Sequence, residues 1–334
     1  MHSNRSDERK MLPTEWNGKR YNALSSYLKR IFGEKVYRVS LDAGFTCPNR
    51  DGRLGFGGCI FCDAAGSRAG YVQPELPVEE QLKRGIELIR SRFRANKFIA
   101  YFQAFSNTYG DIEFLRRTFS IPLKFPEVVG ISVSTRPDLV PNEVLELLAE
   151  LGEKRKVWLE IGVQTFHYRT LVKLRRFHGV AESIDAILRA KSFGNIEIVT
   201  HVILGLPGET EQEMIETAKV LSALGVNGVK MHHLYVVKDT DLERLYRNGK
   251  IKVFERIEDY AKVAADFIEH LDPRIVIHRL AGRAAPDVLV APSWSWDKFR
   301  PIQAIEQELE RRNSWQGKKL KLGLSTEELP KMSF

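Results

Sequence analysis

Residues 45–62 read FTCPNRDGRLGFGGCIFC, and the only cysteines of the 334-residue chain, Cys47, Cys59 and Cys62, all fall inside this stretch in a C-x11-C-x2-C pattern. An odd number of cysteines confined to one loop argues against a disulfide framework and for a metal centre. Thiolates are soft ligands that suit zinc or an iron–sulfur cluster. A structural zinc asks for four protein ligands, usually cysteine or histidine. No histidine occurs between His2 and His167, and the nearby carboxylates Asp51 and Asp63 are of a type uncommon in that role. Three cysteines on a four-iron cluster leave one iron open, so the count fits a cluster better than zinc. Gly52, Gly55, Gly57 and Gly58 let the backbone wrap closely round a cluster, and Phe61 can shield it. Three buried structural cysteines would leave those glycines unexplained.

On either side of the loop, short strand-like runs alternate with amphipathic segments. The runs Val36–Leu41, Phe98–Phe102, Val128–Val133, Val157–Ile161, Ile196–Leu204 and Gly228–Leu234 are apolar and β-prone. Between them Val78–Phe93, Asn142–Leu151, Ala181–Phe193 and Glu211–Leu224 carry apolar residues at helical spacing, the last with Thr210 as its N-cap. Such alternation means parallel strands joined by crossovers. The fold expected is α/β, a partial (β/α)6 TIM-like barrel over residues 35–245. A basic, aromatic helix over 14–33 lies in an N-terminal helical segment, 1–34. A C-terminal extension, 246–334, holds a further strand, Arg274–His278, and a closing helix, Asp297–Arg312, and caps the barrel. In barrels of this kind the active site forms at the C-terminal ends of the strands. The polar residues there are Gln103, Ser106 and Asn107; Ser134 and Arg136; Glu160 and Gln164; His201 and Gly205; and His232 with His233.

The string GFTCPNRDG…GGCIFC resembles the radical S-adenosylmethionine (SAM) superfamily in its YtqA/YhcC branch. That branch is related to the radical domain of the Elongator catalytic subunit and to oxygen-independent coproporphyrinogen oxidase. The resemblance extends to STRPD at 134–138, LEIGVQT at 159–165, HVILGLPGET at 201–210, HHLYVVKDTDLERLY at 232–246 and HRLAG at 278–282. The superfamily's commonest spacing is C-x3-C-x2-C, and the longer first gap here is a feature of the branch. The resemblance implies a [4Fe–4S] cluster on Cys47, Cys59 and Cys62, with SAM's amino and carboxylate groups on the open iron. Reductive cleavage of SAM would give methionine and a 5′-deoxyadenosyl radical, with flavodoxin or ferredoxin as electron donor. It further implies Gln164 near the ribose or methionyl part of SAM and Arg176 on its carboxylate. Ser134 and Arg136 are further cofactor candidates. The turn from Gly205 runs close to adenine, though its Gly and Pro equally make an ordinary strand-to-helix turn. His201 stands where the coproporphyrinogen oxidases often carry a ribose-binding aspartate. The Gly-Gly-Glu string that often binds the SAM amino group is absent, and Gln103, Ser106 and Asn107 occupy its place. Glu160 and His232 are the candidate catalytic residues. A buried Glu160 needs a cation, and Arg136 or Arg176 is the expected partner. Alternation puts one of His232 and His233 into the barrel. Trp294 and Trp296 read as packing residues or as a base-stacking platform.

The formal net charge is +8, from 51 Lys and Arg against 43 Asp and Glu, which suits a nucleic-acid partner as well as an ordinary basic surface. No apolar run approaches the roughly 20 residues that cross a bilayer, and residues 1–11 lack the apolar stretch of a signal peptide, so a cytoplasmic protein without a membrane partner is expected. The resemblance implies tRNA as substrate, with a wobble 5-carboxymethylaminomethyl-(2-thio)uridine converted to its 5-aminomethyl form. Radical chemistry on a small metabolite or a protein is the alternative. A non-catalytic, zinc-stabilised nucleic-acid-binding module is the alternative of a different class. Phosphate contacts are expected at a basic rim built from Lys19, Arg20, Lys29 and Arg30 and from Arg311, Arg312, Lys318 and Lys319.

Overall fold

Seven strands form one parallel sheet in sequential order: β1 Val36–Leu41, β2 Lys97–Phe102, β3 Val128–Thr135, β4 Lys156–Gln164, β5 Ile196–Leu204, β6 Gly228–His233 and β8 Val276–Arg279. This computed structural model describes residues 13–66 and 68–323. The sheet curls into an open half-barrel with helices on its outer face, as parallel strands joined by right-handed crossovers require. The outer helices are α2 Val78–Phe93, α3 Ile112–Ser120, α4 Asn142–Gly152, α5 Tyr168–Lys173, α6 Val180–Ser192 and α7 Glu211–Leu224, followed by α8 Asp241–Arg247, α9 Ile257–Glu269 and α10 Arg300–Arg311. A two-stranded antiparallel pair, β7 Val236–Val237 with β9 Leu289–Ala291, lies beyond β6. Thr210 caps α7, accepting from Glu213 N at 3.3 Å while Glu213 accepts from Thr210 N at 2.8 Å.

The structure adds a seventh parallel strand to the six expected in the barrel. Val276–Arg279, placed by the sequence pattern in a separate extension, pairs with β6 and continues the sheet. The N-terminal helix is also shorter than expected. Thr14–Trp16 is a single 3-10 turn, and the helix proper, α1, runs Leu24–Phe32. Asn17 and Gly18 between them take left-handed backbone angles, φ 54° and 74°, which end any helix. Apolar spacing alone does not reveal that break. The closing helix starts at Arg300, and just before it Asp297 accepts from Phe299 N at 2.7 Å and Arg300 N at 3.2 Å.

Inward-facing side chains stack in layers. The lower layer is apolar: Ile99, Trp158 and Val199 point inward and pack on Leu28 of α1, which closes the end of the barrel where the strands begin. The outer face of the sheet and the helices form the main core, with Leu159, Ile198, Val202 and Met231 among its buried members. Polar layers follow toward the strand ends.

The two basic clusters at the chain ends do meet, but at the closed end of the barrel, away from the cavity. Gln316 N donates to Arg20 O at 2.9 Å, and Asn22 Nδ2 donates to Pro273 O and Arg274 O at 3.3 Å, just before β8 begins. Lys19 pairs with Glu306 at 2.7 Å, Arg311 with Glu308 at 2.8 Å and Lys319 with Glu269 at 2.6 Å. Arg312 meets Asp266 at 2.7 Å and Glu269 at 3.1 Å. Four of the eight residues of the expected basic rim, Lys19, Arg311, Arg312 and Lys319, are therefore ion-paired around α9 and α10.

Candidate functional site

The C-terminal strand ends enclose a cavity of about 430 Å³, and the cysteine loop after β1 closes one side of it. Cys47, Cys59, Cys62, Ser134, Arg136, Glu160, Gln164, Arg176, His201 and His232 all line this cavity, from six separate places in the chain. Gly205 is not among the lining residues; it turns at φ 82°, and a Cβ there would stand 2.5 Å from the Phe254 ring. Gln103 and Ser106 line the cavity too, whereas Asn107 is buried and its Nδ2 holds Ala104 O at 3.0 Å and Ser134 O at 2.9 Å.

The cysteine loop is tied down by the segment between β4 and α6. Asn49, fully buried, donates Nδ2 to Arg175 O at 2.9 Å and to Cys59 Sγ at 3.3 Å. Arg176 donates Nη1 to the same sulfur at 3.3 Å, Nη2 to Gly162 O at 2.7 Å and Nε to His178 at 3.0 Å. The residues flanking Arg176, Arg175 and Phe177, both take φ 55°, an uncommon conformation that aims the guanidinium inward. Gln164, at the end of β4, is likewise left-handed at φ 68°, just where the β4–β5 register slips. Strain of this kind persists where surroundings over-determine the backbone, and it gathers at functional sites. Arg136 grips Asp138 through two bonds of 3.0 and 2.9 Å and donates Nη2 to Arg176 O at 2.7 Å, while its buried Nη1 meets no partner.

The cavity fits an iron–sulfur cluster. Three thiols reach one space, and nitrogen donors point at two of them, since Arg50 Nη1 also approaches Cys62 Sγ at 3.6 Å. Hydrogen bonds to sulfur are what tune and hold such clusters. At Gly58, φ 88°, an added Cβ would press Arg50 Nη1 at 3.2 Å, so the glycine lets that donor reach past the backbone. Burial, then the neighbouring Cys59, pushes the Cys62 thiol up to about 12, and loading must expel its proton. Among the described residues no group of three or more Cys, His, Asp or Glu side chains, the three cysteines included, is drawn together closely enough to hold a single metal ion.

The floor of the cavity is a buried polar network that the sequence pattern only half discloses. Glu160, fully buried, accepts from Ser132 at 2.8 Å, Ser134 at 3.3 Å and His201 Nε2 at 2.7 Å, and it forms ion pairs with Arg38 at 3.1 Å and with Lys230 Nζ. Its partners are thus Lys230 and Arg38, not the expected Arg136 or Arg176, which turn to Asp138 and to Cys59 instead. Burial opposes the Glu160 charge, but Lys230, Arg38 and His201 outweigh it and hold the carboxyl well below its usual range. Lys230, pushed down by its own burial, also donates to Tyr101 Oη at 2.7 Å. The signal was in the strand itself: in GVKMHH, Lys230 shares a face with His232, and a lysine within an apolar strand needs a buried partner as a glutamate does. His232 lines the cavity and His233 does not. His233 packs against Trp294, ring centroids 4.2 Å apart, and Tyr260, 5.1 Å, and it hydrogen-bonds Ser295. Trp294 is therefore a packing residue, its Nε1 on Phe254 O at 3.0 Å, while Trp296 stays half exposed.

Burial holds several histidines neutral. His201 falls to about 4, and His178 and His233 fall to about 3. In each, burial is the main cause, followed by a neighbouring cation: Lys230, Arg176 and Arg279 respectively. An unfolded histidine takes a proton near pH 6.5, whereas these do so only at the lower values, so stability is lost as pH falls from 6.5 toward 4. Each contributes about 1.4 kcal/mol per pH unit in that window. The urea midpoint is expected to drop steeply between pH 7 and pH 5, before most carboxylates titrate; a flat midpoint over that range would contradict this account.

Comparison with known proteins agrees with the geometry. Residues 47–221 match the radical SAM superfamily, and residues 226–311 match the Radical_SAM C-terminal domain. The chain is 40% identical to YtqA of Bacillus subtilis (strain 168) over 90% of its own length and 92% of that protein's. It is 35% identical to YhcC of Escherichia coli (strain K12) over 86% of this chain and 92% of that one. Among solved structures it is similar to the Elp3 of the archaeon Methanocaldococcus infernus, with TM-score 0.63 and 18% identity over 84% of this chain and 64% of that one, a likeness of fold alone. The chain belongs to the radical SAM superfamily, whose cofactors are a [4Fe–4S] cluster and SAM.

Proposed function

We propose that this radical SAM enzyme acts on tRNA, converting the 5-carboxymethylaminomethyl group of a wobble uridine, with or without 2-thiolation, to 5-aminomethyl. The observation that supports this reading is the set of arginines that line the cavity with the cysteine loop and Glu160, namely Arg50, Arg283 and Arg68, the last paired with Asp42 at 3.1 Å. A basic mouth suits a polyanion that must present one residue to an interior site. The ion-paired clusters at the closed end of the barrel are set aside as contacts. Cluster and SAM together, when bound, supply a 5′-deoxyadenosyl radical that takes a hydrogen atom from substrate. Asn49, Arg176 and Arg50 hold the cysteine sulfurs, and the buried Ile60 beside Phe61 keeps water from them. After the hydrogen atom is gone, loss of one electron to the oxidised cluster and of the amine proton would leave an imine, and water would split it into the aminomethyl group and a two-carbon aldehyde acid. Glu160, by taking the Nε2–H of a neutral His201, fixes the tautomer of the ring that lines the cavity there. Flavodoxin or ferredoxin is the electron donor in this reading.

Mass spectrometry of tRNA nucleosides from a strain lacking the gene tests the substrate. The carboxymethylaminomethyl form is expected to accumulate several-fold and the aminomethyl form to vanish. Unchanged wobble uridines would remove tRNA as the substrate and leave a small metabolite or a protein for the same radical.

A further inference from the structure

The wall formed by β6 and β8 holds a cation that the network does not use. Arg279, opposite Lys230 in the β6–β8 register, lines the cavity at the end of β8. Its Nε is buried without a hydrogen-bond partner, and among the described residues no carboxylate pairs with it. Glu160, the carboxylate at this depth, is already matched by Arg38 at 3.1 Å and by Lys230. The Nδ1 of His232, beside it, is also buried and unpartnered. The loop after Arg279 is built tightly against that histidine. At Gly282 a Cβ would stand 2.6 Å from the Tyr235 ring and 3.0 Å from His232 Cβ, so only glycine lets the segment lie flat there. Arg283 continues from it to the rim, anchored by Nε on Trp296 O at 3.0 Å, which leaves its terminal nitrogens toward the mouth. Arg279 is half-buried, so its Nε is a donor shut off from water while its terminal nitrogens can reach the cavity, and the planar fork matches carboxylate and phosphate oxygens.

We infer that Arg279, with His232 beside it and Arg283 at the rim, forms a subsite for an oxyanion carried by the substrate, a carboxylate or a phosphate. The inference rests on this cavity being the substrate cavity of the proposed function, and it names what any substrate must carry to be held there. The carboxymethyl carboxylate of the wobble uridine and a neighbouring tRNA phosphate are the two sources that reading offers.

The test is the melting temperature of anaerobically loaded enzyme, with cluster and SAM in place so that the SAM carboxylate already fills its own site. Sodium chloride is exchanged for sodium acetate or sodium phosphate at constant ionic strength. The wild type is expected to rise along a saturating curve with at least one of the two anions, since a ligand that binds only the folded state stabilises it. A rise with acetate alone assigns a carboxylate, and a rise with phosphate alone assigns a phosphate. Arg279→Met is expected to lose the saturating rise. Lys83→Gln, on the exposed side of α2, is the control and follows the wild type. If Arg279→Met does not fold, Arg279→Lys decides: an apparent affinity weaker by about tenfold upholds the subsite, since the fork is lost. No saturating rise in the wild type, the same rise in Arg279→Met, or an unchanged affinity in Arg279→Lys overturns it. This measurement needs neither SAM cleavage nor tRNA, so it stands or falls apart from the nucleoside profile.

Discussion

Replacing Cys47, Cys59 or Cys62 with alanine, one at a time, is expected to abolish iron and sulfide loading and with it all reductive cleavage of SAM. The chain has no spare cysteine to take over a lost ligand. The first histidine after the loop, His167, holds Glu213 O at 2.8 Å on the outer side of the barrel. Two thiolates do not hold a four-iron cluster against loss in water. Anaerobically purified wild-type protein should carry about four irons and four sulfides and release 5′-deoxyadenosine with dithionite and SAM. The variants should carry almost none and release none above background. The fold should survive, because the loop is also fastened through Asn49 to Arg175 O at 2.9 Å and through Leu242 N to Ile60 O at 2.8 Å. A folded single variant that kept the full cluster, or a wild type that held stoichiometric zinc and no sulfide, would remove the basis of the site.

How far the sequence reached depended on the kind of physics involved. The sheet was legible because six of its strands are apolar runs set off by helices of clear periodicity, a local pattern. The seventh strand is short, four residues of which two are polar, His278 and Arg279, and nothing local separates it from an edge in an extension. The cysteines were legible because ligand chemistry writes itself as spacing. Arg38, Lys230 and Arg279 were not singled out, because each looks ordinary in its own strand. Their role arises only when β1, β6 and β8 curl until Glu160 faces Arg38 and Lys230. The choice of Arg136 or Arg176 as partners of Glu160 failed for the same reason. Both are themselves candidate cofactor residues, yet the turn at Pro137 gives Arg136 to Asp138, and the left-handed residues around Arg176 turn it to Cys59. The basic clusters misled because charge says nothing about which end of a barrel carries it.

Glu160→Leu is expected to cost about 3–5 kcal/mol of stability, because it leaves Arg38 and Lys230 facing each other in the interior without a counter-charge. Ser132, Ser134 and His201 would lose their acceptor in the same stroke. The pairing variant separates structure from chemistry. Lys230→Met in the Glu160→Leu background removes the more deeply buried of the two cations, and Arg38, whose side chain keeps 19% of its exposure, can turn toward solvent. Stability should then return to within about 1–2 kcal/mol of wild type, as apolar replacements of buried ion pairs often do. Substrate turnover should not return, since the acceptor that fixes the His201 Nε2–H is still missing. SAM cleavage without substrate should persist, because no cysteine or neighbour of one has changed. Urea unfolding reads the first result, and 5′-deoxyadenosine with and without substrate reads the second. A double variant that regained turnover would make the network a structural strut. A single variant as stable as wild type would show that Glu160 is not the charge on which the two cations depend. If both expectations hold, the cavity floor is a region where the fold gives up a cheaper apolar core for a buried acid fixed against one face of His201.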